Sequence, residues 1–335
     1  MINEEAIFQI EAMRRQECGA YACRDYFQQQ TCCEESKCQF GTLTRPSKRW
    51  SLKKSKKCKP LGPDNRQKMV TWFQQIVDHC GFDRESVLIA TSYLDRFLMT
   101  KSGVPALHNK NTFQLVAMTC LYIAIKLFEP EVINPAIVSF LSENLYSEKQ
   151  ITEMEMVILS ALQWRVQPPT ALAFVRHFLA LVDMDDTSRG IITKVTRIQI
   201  DHAITSHNFI DVNPSLIAAA SILNTIELMD RKSLPDGTRC SIIVALKLHG
   251  STRRIYGEKM MKVRTQLLHM VQGEEETLEN RQDTNCNDTC SVETKSVREN
   301  IAVSPKSVEK GPSGLVESFV SSFSSALRTS NQSWS

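Results

Sequence analysis

Apolar residues recur at helical spacing almost from the first residue. Ile7, Ile10 and Met13 share one face with charges between them, which predicts a helix over residues 1–30. Residues 31–63 contain Pro46, Pro60, Gly62 and Pro63 and read as a linker. Asp64 stands where it can cap a helix beginning at Asn65. From there the pattern predicts only helices, over 65–79, 84–100, 112–127, 133–143 and 147–163, and Ser147 with Gln150 has the spacing of a capping box. Pro168 and Pro169 punctuate the end of this set. A second set follows over 170–182, 188–210, 213–229, 238–248 and 252–270, joined by short loops. The expected class is all-α, two five-helix units in tandem.

The third helix of each set is apolar on nearly every side. In the stretch FQLVAMTCLYIAIKLFEP, residues 113–130, Lys126 is the exception. Its interior aligns without gaps with the second set: LVAMTCLYIAIKL (115–127) against LIAAASILNTIEL (216–228), 101 residues apart and identical at four positions. Matching rank and spacing predict a duplicated unit. The second copy has Glu227 where the first has Lys126, so the fold does not demand a cation there. Lysines are rarely buried without a partner. Either Lys126 closes its helix against the dipole with its amine in water, or the amine leaves the helix to meet another protein.

Composition narrows the classes. With 335 residues and 42% hydrophobic content the chain can build a sizeable core, and its net charge of +3 creates no global field demanding nucleic acid or membrane. No run of about 18 apolar residues predicts a membrane span. The acidic start MINEEAIFQIEAMRR lacks a secretory core, so the eleven cysteines are expected as free thiols in a reducing compartment. Of these, Cys18, Cys23, Cys32, Cys33 and Cys38 crowd the N-terminal part without a clean C-x-x-C pair, and no metal is expected. Positive charge is local instead. The run 45–60 has eight basic residues in sixteen, and Lys53, Lys54, Lys56 and Lys57 at its centre are read as a nuclear import signal. Residues 271–335 are polar, acidic and expected to be disordered. They include the proline-directed phosphosite candidate Ser304 and, at 314–328, Leu315, Phe319, Phe323 and Leu327 in amphipathic spacing.

Two five-helix units, with SYLDRFL in the second helix and AIK ending the third, resemble a cyclin. The resemblance is close over 64–170, fair to about 230 and faint beyond. Five hallmark positions of the cyclin box match: Arg66, Asp95, Leu115, Lys126 and Glu155. The resemblance implies that Arg66 and Asp95 hold the first helix against the second. It implies that Lys126 and Glu155 lie together on one exposed face and bond the regulatory helix and backbone of a cyclin-dependent kinase, with Ile123, Leu127, Phe128, Met156 and Leu159 supplying apolar contact. Thr71 before Trp72, and RHFLALV at 176–182, bring the chain nearest to D-type, or G1, cyclins.

Some positions depart from that family. Its substrate-docking patch begins with an apolar helix start, where this chain has Asn65-Arg66-Gln67-Lys68-Met69. Met69, Trp72, Phe113 and Gln114 still match, while Lys68 replaces an apolar wall. TCCEE (31–35) has the cysteine and glutamate of a retinoblastoma-pocket motif but threonine in place of leucine.

The expected organisation is therefore an N-terminal helix with a Cys-rich segment (1–44), a basic linker (45–63), an N-terminal cyclin box (64–167), a C-terminal cyclin fold (168–270) and a tail (271–335). No Gly-rich phosphate loop, H-E-x-x-H or G-x-S-x-G occurs, and His202 and His207 are five apart, not at ligand spacing. A kinase-activating regulatory subunit with no catalytic residue and no cofactor is expected, serving the cell cycle around G1/S, in the nucleus with a cytoplasmic pool. By the same resemblance, its partners are the kinase in a heterodimer, kinase inhibitors and ubiquitin-ligase machinery, with no membrane and no direct nucleic acid. The competing readings are a general transcription factor of the TFIIB type, which uses the same tandem fold and an N-terminal zinc ribbon, and a metabolic or redox enzyme using the cysteines.

Overall fold

A computed structural model describes residues 3–28, 61–131, 133–250 and 257–283, and the described residues contain helices and turns but no strand. The first helix, α1 (Glu4–Cys18), starts on Asn3, whose side chain accepts from the Ala6 amide. It stops at Gly19, well short of the expected residue 30. The chain leaves the helix at Gly19, and the bulky residues beyond it serve other contacts: Tyr21 lies under the Arg96 guanidinium, Tyr26 bonds Asp95, and Phe27 packs on the Tyr26 ring.

The first five-helix set is α2 (Pro63–Cys80), α3 (Glu85–Leu98), α4 (Lys110–Phe128), α5 (Pro135–Leu141) and α6 (Glu148–Ala161). Helix α2 opens on Pro63 with Gly62 as its cap and no side-chain cap bond, so Asp64 is a first-turn acid inside the helix, not its cap. It ends on Gly81 at φ 70°, the left-handed conformation that glycine adopts without steric cost. Asn109 and Asn134 cap α4 and α5, and the Ser147–Gln150 capping box opens α6. After α3 the chain folds back so tightly at Gly103 that a Cβ there would meet the Phe97 carbonyl.

The second set is α7 (Ala171–Ala180), α8 (Asp186–Thr205), α9 (Pro214–Leu228), α10 (Asp236–His249) and α11 (Glu258–Asp283). Thr170 and Asp185 cap α7 and α8. Helix α8 ends at Thr205, five residues before the expected 210, where a short 3-10 turn (His207–Phe209) takes over. Helix α11 starts at Glu258 rather than 252.

Residues 1–271 form one compact unit containing both sets. The described residues beyond it, 272–283, are helical. In each set the third helix is central. Phe113, Leu115 to Ile125 of α4 and Ser215 to Ile226 of α9 are buried, which explains their apolar character on all sides. By length and hydropathy α4 would also qualify as a membrane span, and its burial among other helices accounts for that composition. The core of the second set reaches outside it, taking in Ile10 of α1 and Leu88 of α3.

The basic run with Lys53, Lys54, Lys56 and Lys57, the TCCEE segment, Cys32, Cys33, Cys38, Ser304 and the 314–328 stretch lie outside the described residues.

Candidate functional site: a lysine–glutamate face and the clamp behind it

Lys126 sits in the last turn of α4. Its Nζ donates to Oε1 of Glu155 on α6 at 2.8 Å and lies 5.4 Å from the centre of the Tyr122 ring. The hydrogen bond to Glu155 is the main reason the ammonium is held above its usual pKa, against a smaller opposing effect of burial. The structure therefore brings the two expected residues together, but not as two exposed groups. The Lys126 side chain is 44% exposed and that of Glu155 only 9%. Glu155 lies on the inward side of α6 with Ile151 and Ile158, both fully buried. A carboxylate there needs its cation, and it fixes where the Lys126 amine stands.

The apolar surroundings divide in the same way. Leu127, Phe128 and Met156 are exposed. Ile123 and Leu159 are buried in the core and offer a partner nothing, contrary to the expectation, because both face the packing seam between α4 and α6. Val157 and Trp164 are exposed apolar residues that the sequence reasoning passed over. Trp164 has φ 57° and follows Gln163 at φ 55°, which turns the chain sharply out of α6.

Behind this face Arg66 and Asp95 form a two-pronged ion pair, Nε to Oδ1 and Nη2 to Oδ2, both at 2.7 Å. Both residues are buried. Burial disfavours the guanidinium charge, but the adjacent Asp95 carboxylate outweighs it and the Arg66 pKa lies above its usual value. The pair ties α2 to α3 as expected, and it does more. Arg66 Nη1 donates to the Ile204 carbonyl at 2.8 Å and the Thr205 carbonyl at 3.3 Å, at the C-terminal end of α8. Tyr26 donates its hydroxyl to Asp95 Oδ1 at 3.0 Å. One guanidinium thus joins the first set, the second set and, through Asp95, the N-terminal segment. Leu115 is buried one helix away.

Further ties run along the same seam. Gln74 donates to the Asp201 carbonyl at 3.0 Å, and Arg176 reaches Glu85 at 2.6 Å. Glu17, at the end of α1, accepts from the Ser215 amide and hydroxyl at the start of α9. Its carboxylate meets the positive end of that helix, yet burial raises its pKa.

The substrate-docking positions do not form one surface. Met69 and Phe113 are buried in the core. Trp72 and Gln114 are half-buried, and Gln114 Oε1 accepts from the Tyr146 hydroxyl at 3.3 Å. Met69 is inside because α2 packs on that side, and Phe113 because it opens the buried stretch of α4. No metal-holding cluster of His, Cys, Asp or Glu occurs among the described residues, and burial followed by the Asp95 charge pushes the Cys23 thiol up to about 12, which keeps it protonated.

Comparison with known proteins identifies the family of the fold. Two family models match in succession: "Cyclin, N-terminal domain" over residues 41–167 and "Cyclin, C-terminal domain" over 169–283. Among relatives, the G1/S-specific cyclin-D1 of Danio rerio is 27% identical over 175 residues, 52% of this chain and 58% of that protein. Cyclin-D3-1 of Arabidopsis thaliana is 29% identical over 172 residues, 50% and 44% of the two chains. The chain thus spans about half the length of these curated relatives. The X-ray structure of a viral cyclin from herpesvirus saimiri superimposes with a TM-score of 0.52 at 21% identity, covering 63% of this chain and 87% of that one, a likeness of fold.

Proposed function

The chain belongs to the cyclin family, near the D-type cyclins, and from that premise we propose that it is the regulatory subunit of a cyclin-dependent Ser/Thr protein kinase acting around G1/S. The observation that carries the reading is the Lys126 amine, held in place by the buried Glu155 and ringed by exposed Leu127, Phe128 and Met156. An ammonium has three donors. One is committed to Glu155 and the Tyr122 hydroxyl also engages the amine, but the side chain is 44% exposed and keeps donor capacity for backbone carbonyls of a docked helix.

Docking there would orient the kinase's regulatory helix and complete its own Lys–Glu pair and ATP site. Charge-assisted bonds of this type set register, while the apolar residues supply area. The chemistry belongs to the kinase. The test is reconstitution: the purified chain is mixed with individual cyclin-dependent kinases and phosphate transfer to a protein substrate is measured. Activation of at least one kinase is expected. A chain that binds and activates none of them would overturn the reading.

A further inference from the structure

The second fold carries its own version of the Lys126 face, with the charges exchanged. Glu227 holds the place of Lys126 in the ungapped alignment of α4 with α9. Arg264 of α11 holds the place of Glu155 of α6: Ile151 and Met260, Glu155 and Arg264, Ile158 and Leu267 keep one register, and all six are buried. Arg264 Nη2 donates to Glu227 Oε2 as Lys126 Nζ donates to Glu155. In both folds the fifth-helix member of the pair is buried and the third-helix member reaches solvent. The exposed end is a cation in the first fold, 44% accessible, and an anion in the second, 60% accessible.

Arg264 is fixed more firmly than tying two helices requires. Its Nε donates to Asn224 Oδ1 at 2.8 Å, and Asn224 Nδ2 donates back to the Arg264 carbonyl at 3.1 Å and to Gln199 Oε1 at 3.0 Å. Gln199 in turn donates to Thr225 Oγ1 at 3.0 Å. Side chains of α8, α9 and α11 thereby hold the guanidinium, and the guanidinium holds Glu227. Such a carboxylate is pre-organised, which lowers the ordering cost of binding. Leu228, the next residue in the chain, is 70% exposed, and Met261, one turn before Arg264 on α11, is 43% exposed.

We propose that Glu227, Leu228 and Met261 form a second protein-docking face, whose occupant is a partner segment presenting a Lys or Arg side chain flanked by aliphatic residues. A carboxylate only accepts hydrogen bonds, so its remaining capacity calls for donors. Lys126 calls for acceptors. A segment suited to one face sets like charge against the other, which is unfavourable. The two faces therefore take different partners, and the second stays open when the first is occupied. The inference rests on reading the Lys126 face as a docking surface, and not on which protein docks there.

The test uses the whole chain and two fluorescein-labelled helical peptides with identical leucine positions, one carrying lysines and the other glutamates between them. Anisotropy titration should show the lysine peptide binding and the glutamate peptide at least about tenfold weaker, the scale of one close charge pair. Glu227→Gln and, separately, Leu228→Ser should each weaken the lysine peptide about fivefold or more. Lys126→Ala should not change it, and Glu227→Gln should not change kinase binding. Both substituted side chains are exposed, and circular dichroism checks that the variants are folded. The proposal is overturned if the lysine peptide does not bind, if both peptides bind alike, or if Glu227→Gln and Leu228→Ser bind as the parent does. Glu227-dependent peptide binding without any kinase binding would remove the kinase reading and leave this one standing.

Discussion

The two five-helix folds solve one packing problem with opposite charges. Each buries the middle of its third helix on all sides and closes the last turn against the fifth helix with an ion pair, Lys126–Glu155 in the first and Glu227–Arg264 in the second. The architecture requires the tie and is indifferent to its polarity. Polarity decides only what the surface offers. The folds also differ beneath the pair. Ile123 stands in the first where Asn224 stands in the second, so the first pair rests on an apolar core and the second on a hydrogen-bonded network through Gln199, Thr225 and Arg264. A buried network of that kind stabilises while it is complete and costs most when one member is lost.

The largest effect is expected where the two folds meet. Arg66→Ala leaves Asp95 buried without its cation and leaves the carbonyls of Ile204 and Thr205 without a donor. It should cost about 3–5 kcal/mol, the range for breaking a buried pair, read by urea denaturation of the variant and the parent. A loss under about 1 kcal/mol, the scale of a surface pair, would mean that the clamp does not join the folds.

The next effect separates the two ion pairs. Arg264→Ala should destabilise by about 2–4 kcal/mol, because it empties a buried site and breaks the Asn224 network. Glu155→Ala should cost about 1–2 kcal/mol, because Lys126 can turn to water once its partner is gone. Equal losses in the same denaturation experiment would remove the distinction between a networked and a simple pair.

A smaller effect depends on pH. Glu17 has a pKa raised by burial, so the folded chain holds its proton to higher pH than the unfolded chain does. Its contribution to stability is complete below the ordinary glutamate value of 4.5 and is lost as pH rises through the raised value. Glu17→Gln should remove that part of the decline while keeping one bond to Ser215. Denaturation midpoints at several pH values above 4.5 should therefore fall less steeply in the variant. Parallel curves would show that Glu17 does not titrate in this window.

The sequence made the duplication readable because third helices buried on all sides keep their apolar residues in register, as 115–127 and 216–228 do. The cyclin resemblance also implied that Lys126 and Glu155 lie together, and the structure joins them. The sequence did not reveal which of the two is buried. In EMEM at 153–156 every acidic residue has an apolar neighbour, and only packing against α4 turns Glu155 inward while Met156 faces out. Met69 and Phe113 misled for the same reason, since an apolar residue on a helix serves a groove or a core equally well in one dimension. Tyr26 was missed because helical spacing was extended through Gly19, where the chain leaves the helix. The Arg66 bonds to the end of α8 depend on residues about 140 positions away that carry no side-chain signal, because the acceptors are backbone carbonyls.

By the proposed function, the exposed cation of the first fold, and not the exposed anion of the second, meets the kinase. Kinase affinity and melting temperature measured together on Lys126→Ala and Glu227→Ala test it most directly. Lys126→Ala should weaken kinase binding by about 2 kcal/mol or more, since the partner's desolvated acceptors lose their donor, and should also lower stability by about 1–3 kcal/mol, since the buried Glu155 carboxylate is left without its cation. Glu227→Ala should bind the kinase as the parent does. A lower melting temperature with unchanged affinity in Lys126→Ala, or equal weakening by both substitutions, would contradict the account.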